Sequence, residues 1–562
     1  MSVANLAQYL VFLAIVVGLV KPLGAYMAKV FSGEPVWLDP VLRPTERAIY
    51  RAACIDPEAE MAWHEYATAF VVLCGVGPLL LYALLRCQRL LPGFDPHMLT
   101  TPVTPDLAFN TAVSFTTTTT WQAYAGETTM SYLTQMVGLV TQNFIAGACG
   151  LAVGIAFIRG IARNGSGTLG NFWVDVVRSV LYVLIPLSLL TAIILVWQGV
   201  PMNWNSYTHV TTIQGMIQTI AQGPVVALET IKNLGTNGGG FFNANGAHPY
   251  ENPTPVSNLL ELLSIAVLPA ALTCTFGRFT GRLRDGWLLL GIMTALFTVG
   301  LAVAQVAEQR GTSAVTPNME GKEVRFGIAG SVLGAATTSN GATGSYNAMH
   351  DSFTPIGGAV PLANMLLGEA IYGGLGTGLI SLVMVALLGL FLTGLMIGRS
   401  PEYFGKGIGP PEMKMIMLYT ILAPITILGL VAIAVVTPAG LAGLTTNTGI
   451  HGFTEIVVAY SSAFANNGQS FAGLNANTPF YNVTLAVAML LGRFGLVVPA
   501  LALAGSLSRK PMRDLMPGTF PTDSLLFGSV IVGTMLIIGA LTFLPTLALG
   551  PLIEHLTMAR YR

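Results

Sequence analysis

Four stretches of this 562-residue chain are rich in hydroxyl side chains and bare backbone: AVSFTTTTTWQ at 112–122, KNLGTNGGGFF at 232–242, LGAATTSNGAT at 333–343 and YSSAFANNGQS at 460–470. The last three share an Asn-Gly pair: Asn237-Gly238, Asn340-Gly341 and Asn467-Gly468. Hydroxyls and main-chain carbonyls are oxygen donors, and a ring of carbonyls can replace the hydration shell of a potassium ion. Aiming successive carbonyls at one axis forces some residues out of ordinary φ/ψ space. Glycine goes there without steric cost, and Asn tolerates the left-handed region better than most. A single Gly-rich loop is more often a turn or a tight helix contact. Four loops in equivalent places favour an ion-binding ring. The first loop is all threonine from Thr116 to Thr120 and has no glycine, so the ring is not strictly four-fold.

Such loops need rigid elements on both sides. A bilayer crossing takes about 20 apolar residues. Ten runs qualify, near 6–23, 67–85, 133–158, 179–197, 257–275, 287–307, 361–397, 415–436, 482–507 and 526–548. Before each loop lies a segment fit for a short helix: DLAFNTAVSF, VVALETIKNL, FGIAGSVLGA and FTEIVVAYSS. After the last three loops a proline precedes the next apolar run, at Pro255, Pro355 and Pro479. Proline is favoured in the first turn of a helix. The unit is therefore span, short helix, loop, span, and it occurs four times.

The expected fold is an all-α membrane protein with ten transmembrane helices. Four non-identical channel-like repeats surround a pseudo-four-fold pore, with one extra helix at each end. The divisions expected are 1–66 for the first helix and its following loop, 67–165, 166–284, 285–414 and 415–515 for the repeats, and 516–562 for the last helix. Each short helix would point its C-terminal, negative dipole end at the cavity, which favours a cation. The run at 361–397 is too long for one crossing, and GGLGTG at 373–378 marks a break. That break would be a gate below the loops, or close packing through small residues.

Composition agrees with a membrane protein. The chain is 53% hydrophobic and 9% charged, against about 25% charged residues in soluble domains. The formal charge of +0 gives no hint of a nucleic-acid partner. Five scattered cysteines, without CxxC spacing, read as small buried hydrophobes. The first apolar run has Lys21 and Lys29 after it and no basic residue before it, the reverse of a cleavable signal peptide. With the Lys/Arg bias of the loops, this places both termini and the four Gly/Thr/Asn stretches outside.

Longer motifs carry a resemblance. TNGGGFFNANGAHPYENPTP (236–255), NAMHDSFTP (347–355), GLMIGRSPEYFGK (394–406), SFAGLNANTPFYN (470–482) and GRFG (492–495) resemble the potassium-binding A subunits of bacterial Kdp potassium-transporting ATPases. The likeness covers essentially the whole chain. That family looks like a single-chain relative of potassium channels and of Trk/Ktr/HKT transporters.

The resemblance implies a subunit that binds external potassium in a selectivity filter and passes it through an intramembrane tunnel to a P-type ATPase subunit. The implied filter is Thr118, Thr119, Thr120 and Gln122; Thr236, Asn237 and Gly238; Ser339, Asn340 and Gly341; Asn466, Asn467 and Gly468. It implies K+ as the transported ion and a multi-pass place in the bacterial cytoplasmic membrane. Implied partners are a P-type ATPase catalytic subunit, a small accessory subunit, an optional single-helix peptide and the lipid bilayer. The chain carries no GxxxxGK[ST] and no DKTG, so it is expected neither to bind ATP nor to be catalytic on its own.

Charges inside apolar runs are costly and default to function. Arg493 would sit beneath the filter as a fixed positive charge, or would form a structural ion pair. Glu369, just before YGGLGTG, would line the tunnel or sit near a membrane face. Glu127, Glu229 and Glu455 near the loops would attract cations to the mouth, or are ordinary solvated charges. Two other functions compete: an autonomous potassium channel or symporter, and a membrane-embedded hydrolase built on His248, His350, Asp351 and His451 of the outside loops. No HExxH or paired spacing supports the hydrolase.

Overall fold

Three Thr-Pro dipeptides start helices in the way the prolines predict. In the computed structural model, Thr254, Thr354 and Thr478 cap the helices that begin at Pro255, Pro355 and Pro479. Each threonine hydroxyl accepts a hydrogen bond from a backbone N–H three residues on. Proline loses nothing at this position, because its missing N–H would have been an orphan. The structure describes residues 3–91, 99–242, 244–311, 317–398, 401–513 and 520–560. Positions 243, 399 and 400, inside two of the motifs quoted above, lie outside the described residues.

Among the described residues, ten helices are long and apolar enough to cross a membrane. They group as expected into four repeats plus one helix at each end. The first repeat is Trp63–Leu90, the short helix Pro105–Thr116 and Thr134–Ala162. The second is Phe172–Trp197, Val225–Leu234 and Pro255–Phe279. The third is Leu283–Arg310, Gly327–Asn340 and a broken second span. The fourth is Pro410–Val436, Gly449–Ala465 and Pro479–Arg509. Val3–Ser32 and Leu525–Leu547 flank them.

In every repeat the second span is the inner one. Its most apolar window is 89% buried against 28% for the first span in repeat one, and 50% against 22% in repeat four. The outer helices turn side chains such as Leu79 and Leu541 outwards, at 70% and 81% exposure. An apolar exterior of that kind is a lipid-facing surface, since helices satisfy their own backbone in hydrocarbon.

Two boundaries differ from the sequence expectation. The run at 361–397 is two helices, Pro355–Leu366 and Thr377–Ile397. The non-helical stretch between them is 367–376, so it starts six residues before GGLGTG and ends inside it. Glu369, Tyr372 and Gly376 all have positive φ there, which no helix accommodates. The third short helix also runs one turn beyond FGIAGSVLGA, through Ser339 and Asn340. No Gly or Pro interrupts Ala335 to Asn340, and Asn340 Nδ2 donates back to Ala336 O at 2.8 Å.

Candidate functional site

The four short helices end at Thr116, Leu234, Asn340 and Ala465, and each opens into a loop with the same backbone signature. One residue has positive φ, the next does not, and the one after has positive φ again. The pairs are Thr118 and Thr120, Thr236 and Gly238, Ala342 and Gly344, and Asn466 and Gly468. Left-handed geometry costs a non-glycine residue of order 1–3 kcal/mol and persists only where the surroundings impose it. Four short stretches of this chain share that arrangement at the ends of four helices.

The loops meet as a closed ring. Thr120 Oγ1 donates to Asn237 O, joining the first loop to the second. A Cβ on Gly238 would stand 2.5 Å from Thr343 O, so the second loop lies on the third. Gln469 Nε2 donates to Gly344 O at 3.4 Å, linking the fourth loop to the third. Asn466 Nδ2 donates to Thr119 Oγ1 at 3.0 Å, which closes the circle. On one side of the ring a mouth is lined by Thr120, Gln122, Gly239, Ser345 and Gly468. On the other, a cavity is lined by Thr118, Thr236, Ala342 and Asn466, the first left-handed residue of each loop. The loops also carry buried polar atoms without hydrogen-bond partners, among them Asn237 Oδ1, Thr343 Oγ1 and Asn467 Oδ1. Native structures rarely leave such atoms unpaired.

The sequence-predicted residues fall on this ring with one displacement. Thr118, Thr119 and Thr120, Thr236, Asn237 and Gly238, and Asn466, Asn467 and Gly468 occupy equivalent positions in loops one, two and four. Ser339, Asn340 and Gly341 do not. Ser339 and Asn340 are helical, and Ser339 O accepts a hydrogen bond from Asn467 Nδ2 at 3.0 Å. The equivalent positions in the third loop are Ala342, Thr343 and Gly344. The Asn-Gly likeness shifted the register by three residues, because this short helix ends later than the others suggest. Gln122 is beside the ring as a fastener: its amide accepts from Gly240 N at 2.9 Å and donates to Gly240 O at 3.0 Å.

Arg493 lies 3% exposed beneath the loops. Its Nη1 donates to Thr118 Oγ1 at 3.3 Å and its Nη2 to Ala146 O at 3.2 Å. Among the described residues no carboxylate pairs with it; the guanidinium lies 5.8 Å from the centre of the Phe70 ring and beside Gly150. Gly492 permits the placement, since a Cβ there would overlap Phe464 O at 1.8 Å. Glu369 is also buried, in the break, where it accepts from Asn467 Nδ2 at 2.7 Å. Both line the inner cavity, which extends past Tyr419 and Met535 on the fourth repeat and the last helix. The break itself hangs from the second loop, Leu375 N donating to Thr236 Oγ1 at 2.7 Å. It also packs on the inner helix of repeat one: a Cβ on Gly376 would stand 2.0 Å from Gly150 O.

Glu251 and Lys232 support the second loop and escaped the sequence reading, which gave Glu229 another role. Glu251 is fully buried, and its two oxygens accept from the N–H groups of Phe241, Phe242 and Gly246. It holds the chain that leaves the second loop. Lys232 and Glu229 form a fully buried pair at 2.7 Å behind the same loop, with Tyr346 donating to Glu229 at 3.0 Å. Lys232 O accepts from both Asn237 N and Gly238 N. Glu229 is therefore a structural anchor rather than a solvated charge at the mouth. Long unbroken motifs around these acids were the only sequence signal.

Two of the histidines named for a hydrolase pack on aromatic rings. His248 stacks on Phe242 with centroids 3.9 Å apart, and His350 is buried against Phe353. Burial beside Lys322 pushes the His350 pKa down to about 4. Asp351 and His451 do meet, at 2.9 Å.

Comparison with known proteins adds the following. The sequence profile of the family described as Potassium-transporting ATPase A subunit matches residues 10–556. The chain is 53% identical over 565 residues to the potassium-transporting ATPase potassium-binding subunit of Methylobacterium nodulans, covering 100% of this chain and 98% of that one. It is 50% identical over 568 residues to the subunit of the same name from Solibacter usitatus, covering 100% of both. The fold is similar to the crystal structure of the potassium transporter TrkH from Vibrio parahaemolyticus, with TM-score 0.52 at 13% identity, covering 79% of this chain and 85% of that one.

Proposed function

This chain belongs to the Potassium-transporting ATPase A subunit family, and from that premise we propose that it is the potassium-binding subunit of an ATP-driven uptake complex whose ion site is the ring of four loops. The observation that carries the reading is the pair of positive-φ residues, two apart, repeated in all four loops between a mouth and an inner cavity. Main-chain oxygens of residues 118–120, 236–238, 342–344 and 466–468 replace the water of a bare potassium ion. The C-terminal ends of four short helices add negative potential there. The loop face is the outer face of a bacterial cytoplasmic membrane, and both chain termini are on that side. The repeat divisions 67–165, 166–284, 285–414 and 415–515 each supply one quarter of the ring.

Below the ring, Arg493 places a fixed charge on the direct route to the opposite face. A like charge a side chain's length away costs a passing cation a few kcal/mol at the effective dielectric of a protein, of order 332/(ε·r). The ion therefore leaves sideways along the inner cavity, past Glu369, towards a P-type ATPase subunit that hydrolyses ATP. A small accessory subunit and a single-helix peptide complete the complex. This chain contributes binding and passage, not hydrolysis.

The test is potassium binding to the assembled complex, read as K+-stimulated ATP hydrolysis, with Gly238→Asp in the second loop. The expected result is a loss of K+ affinity or of selectivity over Na+. Unchanged K+ dependence in that variant removes the loop from the site. Robust K+ flux through vesicles holding this chain alone would instead identify an autonomous channel.

A further inference from the structure

On the loop face, apart from the ring, Asp351, His451 and Glu455 each bring one ligand atom to within 4.8 Å of the others. His451 and Glu455 stand one turn apart on the short helix Gly449–Ala465, so the same face presents both. Asp351 comes from the third repeat, just ahead of the helix Pro355–Leu366. His451 Nε2 is 2.9 Å from Asp351 Oδ1, while its Nδ1 is 2.8 Å from Glu554 Oε1 on the C-terminal helix. Asn447 Nδ2 donates to Asp351 Oδ2 at 3.3 Å and to Glu455 Oε1 at 2.8 Å. The second carboxylate oxygens are thus held from behind. Glu455 is 0% exposed, yet its Oε2 has no hydrogen-bond partner.

Three further facts bear on what this cluster takes. Three carboxylates surround one imidazole, and among the described residues no Lys or Arg pairs with any of them. A histidine whose Nδ1–H is held by a carboxylate is oriented as metal-binding histidines are; its Nε2 faces Asp351 Oδ1 and becomes a ligand once its proton leaves. The Asp351 and His451 side chains keep 14% and 21% exposure, so the cluster is reachable from the loop face.

We propose that Asp351, His451 and Glu455 form a binding site for a divalent transition metal of the zinc type, with Glu554 as the residue that positions His451. One imidazole and two carboxylates, with a fourth place left for water, suit Zn2+ chemistry. On loading, a proton bound to the His451 imidazole leaves to solvent and the metal takes Nε2. The hydrogen bond between His451 Nε2 and Asp351 Oδ1 gives way to metal bonds from Nε2 and from the Asp351 and Glu455 carboxylates, whose two charges balance the metal's while Glu554 keeps the Nδ1 proton. The bound metal ties the third repeat to the short helix that carries the fourth loop. This assignment does not depend on what the ring binds.

The experiment is calorimetry of Zn2+ binding to the full-length chain in detergent, after chelator treatment, in two buffers of different protonation enthalpy. The expected result is one Zn2+ per chain with about one proton released. His451→Ala abolishes this binding, and Glu554→Gln weakens it about 10–100-fold. Glu455→Gln keeps both His451 ion pairs and the fold, and it too loses Zn2+ affinity. Absence of Zn2+ binding by the wild-type chain overturns the proposal, as does affinity unchanged in Glu455→Gln or Glu554→Gln.

Discussion

At the scale of single residues, the ring is built from conformations rather than from side chains. Gly468 has φ +83° and lies so close to the first loop that a Cβ would stand 2.2 Å from Thr119 O. Gly468→Ala is therefore expected to lower apparent K+ affinity at least about tenfold, a change of about 1.4 kcal/mol. K+ titration of ATP hydrolysis in the assembled complex measures it, and wild-type affinity would show that the loop tolerates a side chain. The third loop offers a sharper comparison. Thr343→Ala, which removes an unpartnered hydroxyl in the loop, is expected to change selectivity between K+ and Rb+, whereas Ser339→Ala is not, because the Ser339 hydroxyl is engaged by Asn364 Nδ2 and Ala336 O within the helix. The opposite outcome would restore the register that the Asn-Gly pairs suggested. Arg493→Met removes a buried guanidinium that lines the inner cavity and has no carboxylate partner among the described residues. It is expected to let ATP hydrolysis run without matched K+ uptake; retained coupling would make Arg493 structural.

At the scale of elements, much was legible in the sequence. The ten apolar runs, the short helices and the three Thr-Pro starts all follow from local chemistry: apolar length, helix propensity and capping. In loops one, two and four the residues read from the sequence coincide with the positive-φ positions, because glycine or left-handed Asn and Thr follow directly on a recognisable helix end. The third loop was not, because helix propensity does not stop at Ala335 and the true turn at Gly341 is set by packing on Ile265, which lies 76 residues earlier. The long run at 361–397 showed a break but not its start. Gly368 and Glu369 leave the helix under tertiary constraint, with Glu369 held by Asn467 of another repeat. The break is also a packing element. Gly376→Ala would drive a Cβ to 2.0 Å from Gly150 O at a φ of +89°. It is expected to destabilise the chain by about 2 kcal/mol or more, read as a lower midpoint of thermal unfolding in detergent. An unchanged midpoint would mean that the contact relaxes at no cost.

At the scale of the whole molecule, parts distant in sequence are held by a few charged joints. His451 joins the fourth repeat to Asp351 of the third and to Glu554 of the C-terminal helix. Its hydrogen bonds to these carboxylates raise its pKa to about 10. A raised folded-state value means the imidazolium stabilises the fold fully below the ordinary value near 6.5, and that this contribution fades as pH climbs to about 10. In the presence of chelator, wild type is therefore expected to outlast His451→Gln most clearly at about pH 6, and to lose that advantage above about pH 10. Thermal unfolding across that range checks it; a constant difference would mean that His451 contributes through packing alone. None of this joint was legible from the sequence, where Asp351, His451 and Glu554 lie about a hundred residues apart.

The hydrogen bond from Leu375 N to Thr236 Oγ1 ties the non-helical segment of the third repeat to the second loop through one hydroxyl. Thr236 Oγ1 cannot turn away without releasing Leu375, and Leu375 cannot move without freeing that hydroxyl. If the ring binds potassium as proposed, occupancy above and the shape of the segment below are linked through this one contact.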